Sequence, residues 1–180
     1  MASQDIAEAM QRVESVLRRR PETGMHDDAP ATARWDGGTR VATRHENGTQ
    51  VLSDMPAEFG GTGDRITPGW LFRAGLAACT TTRIAMAAAA EGIELQALES
   101  QASSRSDTRG LLGMADAGGA AVSAAPSDVQ LRVRIAARGV AAGRLRALVE
   151  DSFRHSPVSC AVQGVPVALR IEVGGEGEDQ

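Results

Sequence analysis

The sequence predicts an α+β fold in which antiparallel strands surround one long, buried helix. Three observations predict it. The stretch "PGWLFRAGLAACTTTRIAMAAAAEG" at 68 to 92 is apolar on almost every side and rich in Ala and Gly, as a helix packed closely on several sides must be. Two segments, 128 to 137 and 165 to 173, alternate apolar and polar residues with the period of a half-buried strand. Asp-Gly and Asn-Gly pairs at 36 to 37 and 47 to 48 punctuate short segments upstream, the signature of tight hairpins.

In chain order, Ile6, Met10, Val13 and Leu17 recur at helical spacing between Ser3 as a cap and Pro21 as a stop, so residues 3 to 20 read as an amphipathic helix. The polar, turn-rich "PETGMHDDAP" makes a linker. "ATARW", "RVATRHE" and "TQVLSD" then form a small antiparallel meander. A Gly-rich loop, "MPAEFGGTGDRITP", leads to Thr67 and Pro68, a capping residue followed by a proline suited to the first helical turn. The long helix runs to about Glu91, and Gly92 ends it.

Downstream, "IELQALESQASS" reads as a strand and "DTRGLLGMADAGG" as a long loop. Val129, Leu131, Val133 and Ile135 mark the next strand, and Leu145, Leu148, Val149 and Phe153 one face of a helix over 141 to 155. Ser156 and Pro157 open a short helix that Gly164 closes. The last strand carries Val165, Val167, Leu169, Ile171 and Val173, and "GGEGEDQ" at 174 to 180 forms a flexible tail.

The 180 residues suffice for one domain with an appendage. All 19 basic residues are Arg, and they are scattered among 23 acids for a net charge of −4, so no basic stripe suits a nucleic-acid backbone. No readable signal peptide and no apolar run of membrane length point to a cytoplasmic protein that neither spans a membrane nor binds nucleic acid. Aromatic residues make up only 3%, which leaves the core to Ala, Val, Leu and Ile.

Chemistry rests on two cysteines. Cys79 lies about three turns into the long helix, with Gly75, a site for close approach by another element, one turn before it and Arg83 one turn after. A cation there favours a thiolate; packing as a small hydrophobe is the competing reading. Cys160 stands in the first turns of the short helix, where the dipole lowers a thiol's pKa and apolar burial raises it. Cys79, Cys160, His26, His45 and His155 have no metal-ligand spacing, and no cofactor motif, P-loop or G-x-S-x-G elbow is present. His155 beside Ser156 lacks an acid partner for hydrolase chemistry.

The segments "SDMPAEFGGTGDRITPGWLFRAGLAAC" at 53 to 79 and "LVEDSFRHSPVSCAVQGVPVALRIEV" at 148 to 173, in that order, resemble the OsmC/Ohr family of thiol peroxidases. The resemblance spans about residues 31 to 173, with the helix and linker of 1 to 30 as an addition. It implies an OsmC-like fold, an intertwined homodimer with sites at the interface, and reduction of organic hydroperoxides with regeneration by an external dithiol. It implies that Cys79 attacks the peroxide and that a resolving cysteine sits in a C-P-V-S motif. Here Ser156 occupies that place, and Cys160 follows one turn later, about 6 Å along the axis. The resemblance also implies an Arg from the strand region paired with a Glu after the helix-starting Pro. Arg40 is the match for the Arg, with Arg34 and Arg44 as alternatives; the Glu position is Gly69, and Asp64 and Glu58 in the preceding loop are the candidates to compensate for it. The departures leave a second expectation open: an OsmC scaffold without efficient turnover that binds a small apolar ligand or senses redox state. A third is assembly alone, with both thiols serving as packing.

Overall fold

The computed structural model describes residues 3 to 162. Helix α1 (Ser3–Arg19) precedes strands β1 (Thr32–Trp35), β2 (Val41–Arg44) and β3 (Gln50–Ser53); the long helix α2 (Pro68–Ala90) follows. Then come β4 (Leu95–Arg105), a one-turn helix α3 (Thr108–Leu111), β5 (Ser127–Ala137), α4 (Ala142–Arg154) and α5 (Pro157–Ala161). The expected strand at 165 to 173, its closing Gly164 and the tail lie outside the described residues.

Both sheets are antiparallel. In the first, the order is β1-β2-β3, with Trp35 opposite Val41 and Val41 opposite Ser53, and the Asp-Gly and Asn-Gly turns stand where φ is positive at Gly37 and Gly48. In the second, β4 pairs with β5 so that Leu98 faces Ile135 and Ser100 faces Val133. Register shifts near Ala97 and Arg105 bend this long ribbon.

Helix α2 begins as its sequence requires. Thr67 accepts a hydrogen bond from the Trp70 amide and Pro68 occupies the first position, where no amide is needed. Four of its buried residues, Leu76, Thr80, Ile84 and Ala88, recur every four positions and form one stripe, with Ala89 buried beside it. Ile84 and Ala88 meet Leu145 and Leu148 of α4 and Ile93, with Leu98, Val133 and Ile135 of the sheet against them. That aliphatic cluster is the core, and no aromatic residue enters it.

Among the described residues, cover of α2 is incomplete at its start. Trp70 in its first turn is 47% exposed. The β4–β5 sheet, α1, α4 and α5 all pack against α2, whereas the β1–β3 sheet makes little contact with it. Among the described residues no element approaches Gly75 closely, since a Cβ placed there meets nothing of them within 4 Å.

Two local features differ from expectation. The segment expected as a loop after β4 contains α3, which Asp107 caps by accepting from the Arg109 amide. Gly110 sits so close to the Ser123 carbonyl that a Cβ would lie 2.1 Å from it, which folds the loop back on itself. The linker after α1 opens with a 3-10 turn at Pro21–Gly24.

Candidate functional site around Cys79

Both cysteines are free; Cys79 is half-buried and Cys160 exposed. Cys79 stands on the flank of α2 beside the buried stripe, next to Thr80. The Thr80 hydroxyl donates to the Leu76 carbonyl at 2.9 Å and lies 3.4 Å from Ser156 Oγ and 3.3 Å from Ser159 Oγ. All three hydroxyl side chains are fully buried. The short helix α5 therefore turns two serines, not its cysteine, toward the helix that carries Cys79. Cys160 Sγ donates instead to the Arg154 carbonyl at the end of α4, 3.1 Å away. The hydroxyls of Ser156 and Ser159 thus join α5 to α2, and Cys160 occupies the outer side of the same turn. His155 is exposed and hydrogen-bonds the Asp151 carbonyl, while Ser156 points inward, so no Ser-His pair forms among the described residues.

Arg40 lies between β1 and β2 and is held by the Gly-rich loop. Its Nη2 donates to Thr62 Oγ1 at 3.0 Å and to Asp64 Oδ1 at 3.1 Å, and its Nε lies 3.5 Å from Asp54 Oδ2. Asp64, from the loop that precedes α2, is the carboxylate paired with Arg40. Arg34 pairs with Asp36 and Arg44 with Gln50, away from this cluster.

Asp54 anchors the arrangement, and sequence reasoning passed over it. Its side chain is 1% exposed, yet it accepts from the Thr39 hydroxyl, from the Thr62 amide and hydroxyl at 3.0 and 2.7 Å, and from the Met55 amide at 2.8 Å. Donors aimed at the charged form, that of Thr39 first and those of Thr62 next, hold its carboxyl well below the usual carboxylate range. Asp64 is lowered as well, first by the Thr62 hydroxyl and then by Arg40 and Arg65. The available signal was "SDMP" followed by "GGTGD": a lone acid at the end of a strand, flanked by hydroxyl residues and glycines able to wrap it.

Among the described residues no hydrogen bond joins Arg40 to Cys79. On the wheel of α2, Arg83 lies about 40° from Cys79 and one turn on, and Met86 about 20° from it. Arg83 Nη1 is fully buried and has no hydrogen-bond partner among the described residues. Met86, with Ile6, Met10, Val13 and Leu17 of α1, lines an open apolar groove of about 810 Å3. The added helix therefore stands along the flank of α2 that carries Cys79, and its apolar face remains open, with Val13 59% exposed. No group of three or more His, Cys, Asp or Glu side chains among the described residues is placed to hold a metal ion, and no helix there is long and apolar enough to cross a membrane.

An α+β scaffold with a half-buried cysteine on its central helix and an Arg-carboxylate cluster before that helix defines a class of thiol-bearing proteins, and the comparisons place the chain within it. The profile of the family described as OsmC-like protein matches residues 61–170, more than half of the sequence. The chain belongs to the OsmC-like family. Solved structures share the fold at low identity. An OsmC-like protein from Mycoplasma pneumoniae is 18% identical with a TM-score of 0.64, over 78% of this chain and 91% of its own. An organic hydroperoxide resistance protein OsmC from Legionella pneumophila is 22% identical with a TM-score of 0.55, over 78% and 92%. An OsmC-like protein of unknown function from Vibrio cholerae is 12% identical with a TM-score of 0.61, over 77% and 95%. No curated protein matches the chain.

Proposed function

We propose that the protein is a thiol-dependent peroxidase that reduces organic hydroperoxides through Cys79. The observation that carries this reading is the Arg40–Asp64 ion pair at 3.1 Å, a loop carboxylate on the strand-region arginine where position 69 offers none, taken together with the resemblance that implies Cys79 as the attacking thiol. The Legionella neighbour, described as an organic hydroperoxide resistance protein, supports the same substrate class.

The chemistry runs as a two-electron transfer. The Cys79 thiolate attacks the terminal oxygen of the hydroperoxide; an S–O bond forms as the O–O bond breaks. Sulfur is oxidised to the sulfenic acid, and the alkoxide takes up a proton and leaves as an alcohol. Condensation with the Cys160 thiol then gives a disulfide and water, and an external dithiol returns two electrons and two protons. Cys160 faces outward, so this condensation requires α5 to turn. The helix has only five residues, but the turn must break the contacts of the buried Ser156 and Ser159 hydroxyls with Thr80, so the condensation carries that cost. No metal or cofactor takes part.

A homodimer belongs to this reading, acting in the cytoplasm. Trp35, Trp70, Leu111, Leu112 and Met114 are exposed, and α2 lacks cover at its start, features that a second copy would bury. Size-exclusion chromatography with light scattering tests it, and a monomer would remove this part of the account.

One observation favours a second reading, a scaffold that binds an apolar ligand without efficient turnover: Cys160 is engaged with Arg154 on the far side of α5. Consumption of cumene hydroperoxide with a dithiol reductant separates the two. Turnover that is lost in Cys79→Ser supports the peroxidase; no turnover in the intact protein, together with saturable binding of an apolar dye, supports the second reading.

A further inference from the structure

We propose that α1 is a docking surface for a second copy of this chain, whose own α1 lies along it antiparallel. The contact is separate from the cover proposed for the start of α2 and does not depend on the peroxidase reading. It is made by residues outside the stretch 61–170 that the family shares.

Helix α1 is incompletely covered. It runs for 17 residues without one buried residue. A helix of that length is marginal in water unless its apolar face packs against something. Met86 of α2 lies along one side of that face, and the other side is the open groove of about 810 Å3. Val13, in the middle of the helix, is 59% exposed.

The pattern of the face selects its occupant. Ile6, Met10, Val13 and Leu17 follow one another at spacings of four, three and four, an order that is the same read from either end. A two-fold axis level with the midpoint between Gln11 and Arg12 therefore sets Ile6 against Leu17 of the partner subunit and Met10 against Val13 of the partner subunit. Every apolar residue of the stripe then meets another. Ala9, which also lines the groove, is small enough to let the two helices approach.

Charge sets the direction. Asp5 stands in the first turn with Glu8 after it, whereas Arg18 and Arg19 form the last turn and Arg20 follows. Antiparallel pairing brings each acidic start beside a basic end, and it opposes the two helix dipoles; a parallel pair in register would bring like charges together. The pairs made inside the helix, Arg12 with Glu8 and Arg18 with Glu14, are solvent-exposed and weak, so they do not keep the ends from such contacts. A lipid surface fits less well. Over Ser3–Arg19 three acids balance three arginines, and no aromatic residue is present to anchor the helix in an interface.

The test is crosslinking by a short bismaleimide in the full chain carrying Cys79→Ser and Cys160→Ser, with Ile6→Cys and Leu17→Cys introduced together or singly. In the antiparallel pair the two new thiols meet across the seam, and the double variant runs as a crosslinked dimer on a denaturing gel. Within one chain the two positions lie about 16 Å apart along the axis, and so do the two copies of either position in the pair, so each single variant crosslinks at least about tenfold less. Adding Val13→Glu to the double variant puts a carboxylate at the centre of the seam and lowers the crosslinked fraction by about tenfold or more, while Val13→Leu preserves it. An uncrosslinked double variant overturns the proposal, as do single variants that crosslink as readily or a double variant indifferent to Val13→Glu. A dimer built on α2 alone would have a dimer's mass in light scattering and no such crosslink. Sedimentation of the parent with phosphatidylglycerol vesicles, together with an uncrosslinked double variant, would give the face to a lipid surface instead.

Discussion

Replacing Gly61 with alanine is the sharpest structural test of how the Gly-rich loop presents Arg40. A Cβ at Gly61 would lie 1.8 Å from the Met55 carbonyl oxygen, 2.5 Å from its carbon and 2.9 Å from Asp54 Oδ1. Ordinary contact begins near 3.4 Å, so the two backbone strands of the loop must separate by about 1.6 Å. Such a movement pulls Gly63 from the Met55 carbonyl and Thr62 from the Asp54 carboxylate, bonds now 3.2 and 3.0 Å long. Forced overpacking costs about 1–3 kcal/mol, and backbone against backbone belongs at the upper end. For a chain of this size that corresponds to a fall of roughly 6–12 °C in Tm. Differential scanning calorimetry and urea titration measure it, with Gly69→Ala as the control. At Gly69 the nearest atom to a Cβ is 3.7 Å away, and alanine there should leave stability unchanged or raise it by up to about 1 kcal/mol. A Gly61→Ala protein within about 0.5 kcal/mol of the parent would refute the loop geometry, because ordinary surface substitutions stay within that range.

Other consequences can be checked alongside. Ile84→Ala removes three carbons from a fully buried site and should cost about 2–4 kcal/mol in urea denaturation. Thr67→Ala deletes the cap on Trp70 and should cost about 1 kcal/mol. Asp54→Asn should lower Tm at neutral pH. Because the folded-state pKa of Asp54 is depressed, its stabilisation is present above the ordinary carboxylate pKa and is lost as pH falls toward the folded value. The Tm gap between parent and variant should therefore be constant at neutral pH and narrow in acid; a gap that widens in acid would contradict the assigned hydrogen bonds.

Much of this structure was legible because local rules and tertiary packing agree. The spacing of Ile6, Met10, Val13 and Leu17 marked α1, the Thr67-Pro68 pair marked the start of α2, and Asp-Gly and Asn-Gly marked the hairpins. The one-turn helix after β4 was missed because its existence depends on an Asp107 cap and on the close approach of Gly110 to Ser123, a contact between residues 13 positions apart. The site was legible in its residue types and not in its directions. Spacing places Cys160 one turn after Ser156, yet the non-helical backbone at Ser156 turns its hydroxyl to Thr80 while Cys160 bonds Arg154 outside. The role of Asp54 depends on Thr39 and Thr62, which come from two different turns, and no periodicity reports such a meeting.

The most direct test of the central claim is intact mass and non-reducing peptide mapping of reduced protein within seconds of adding one equivalent of an alkyl hydroperoxide. The account predicts a product two hydrogens lighter with Cys79 linked to Cys160, a sulfenic acid on Cys79 in Cys160→Ser, and an inert Cys79→Ser. An unchanged mass in the parent, or equal oxidation of Cys79→Ser, would contradict it.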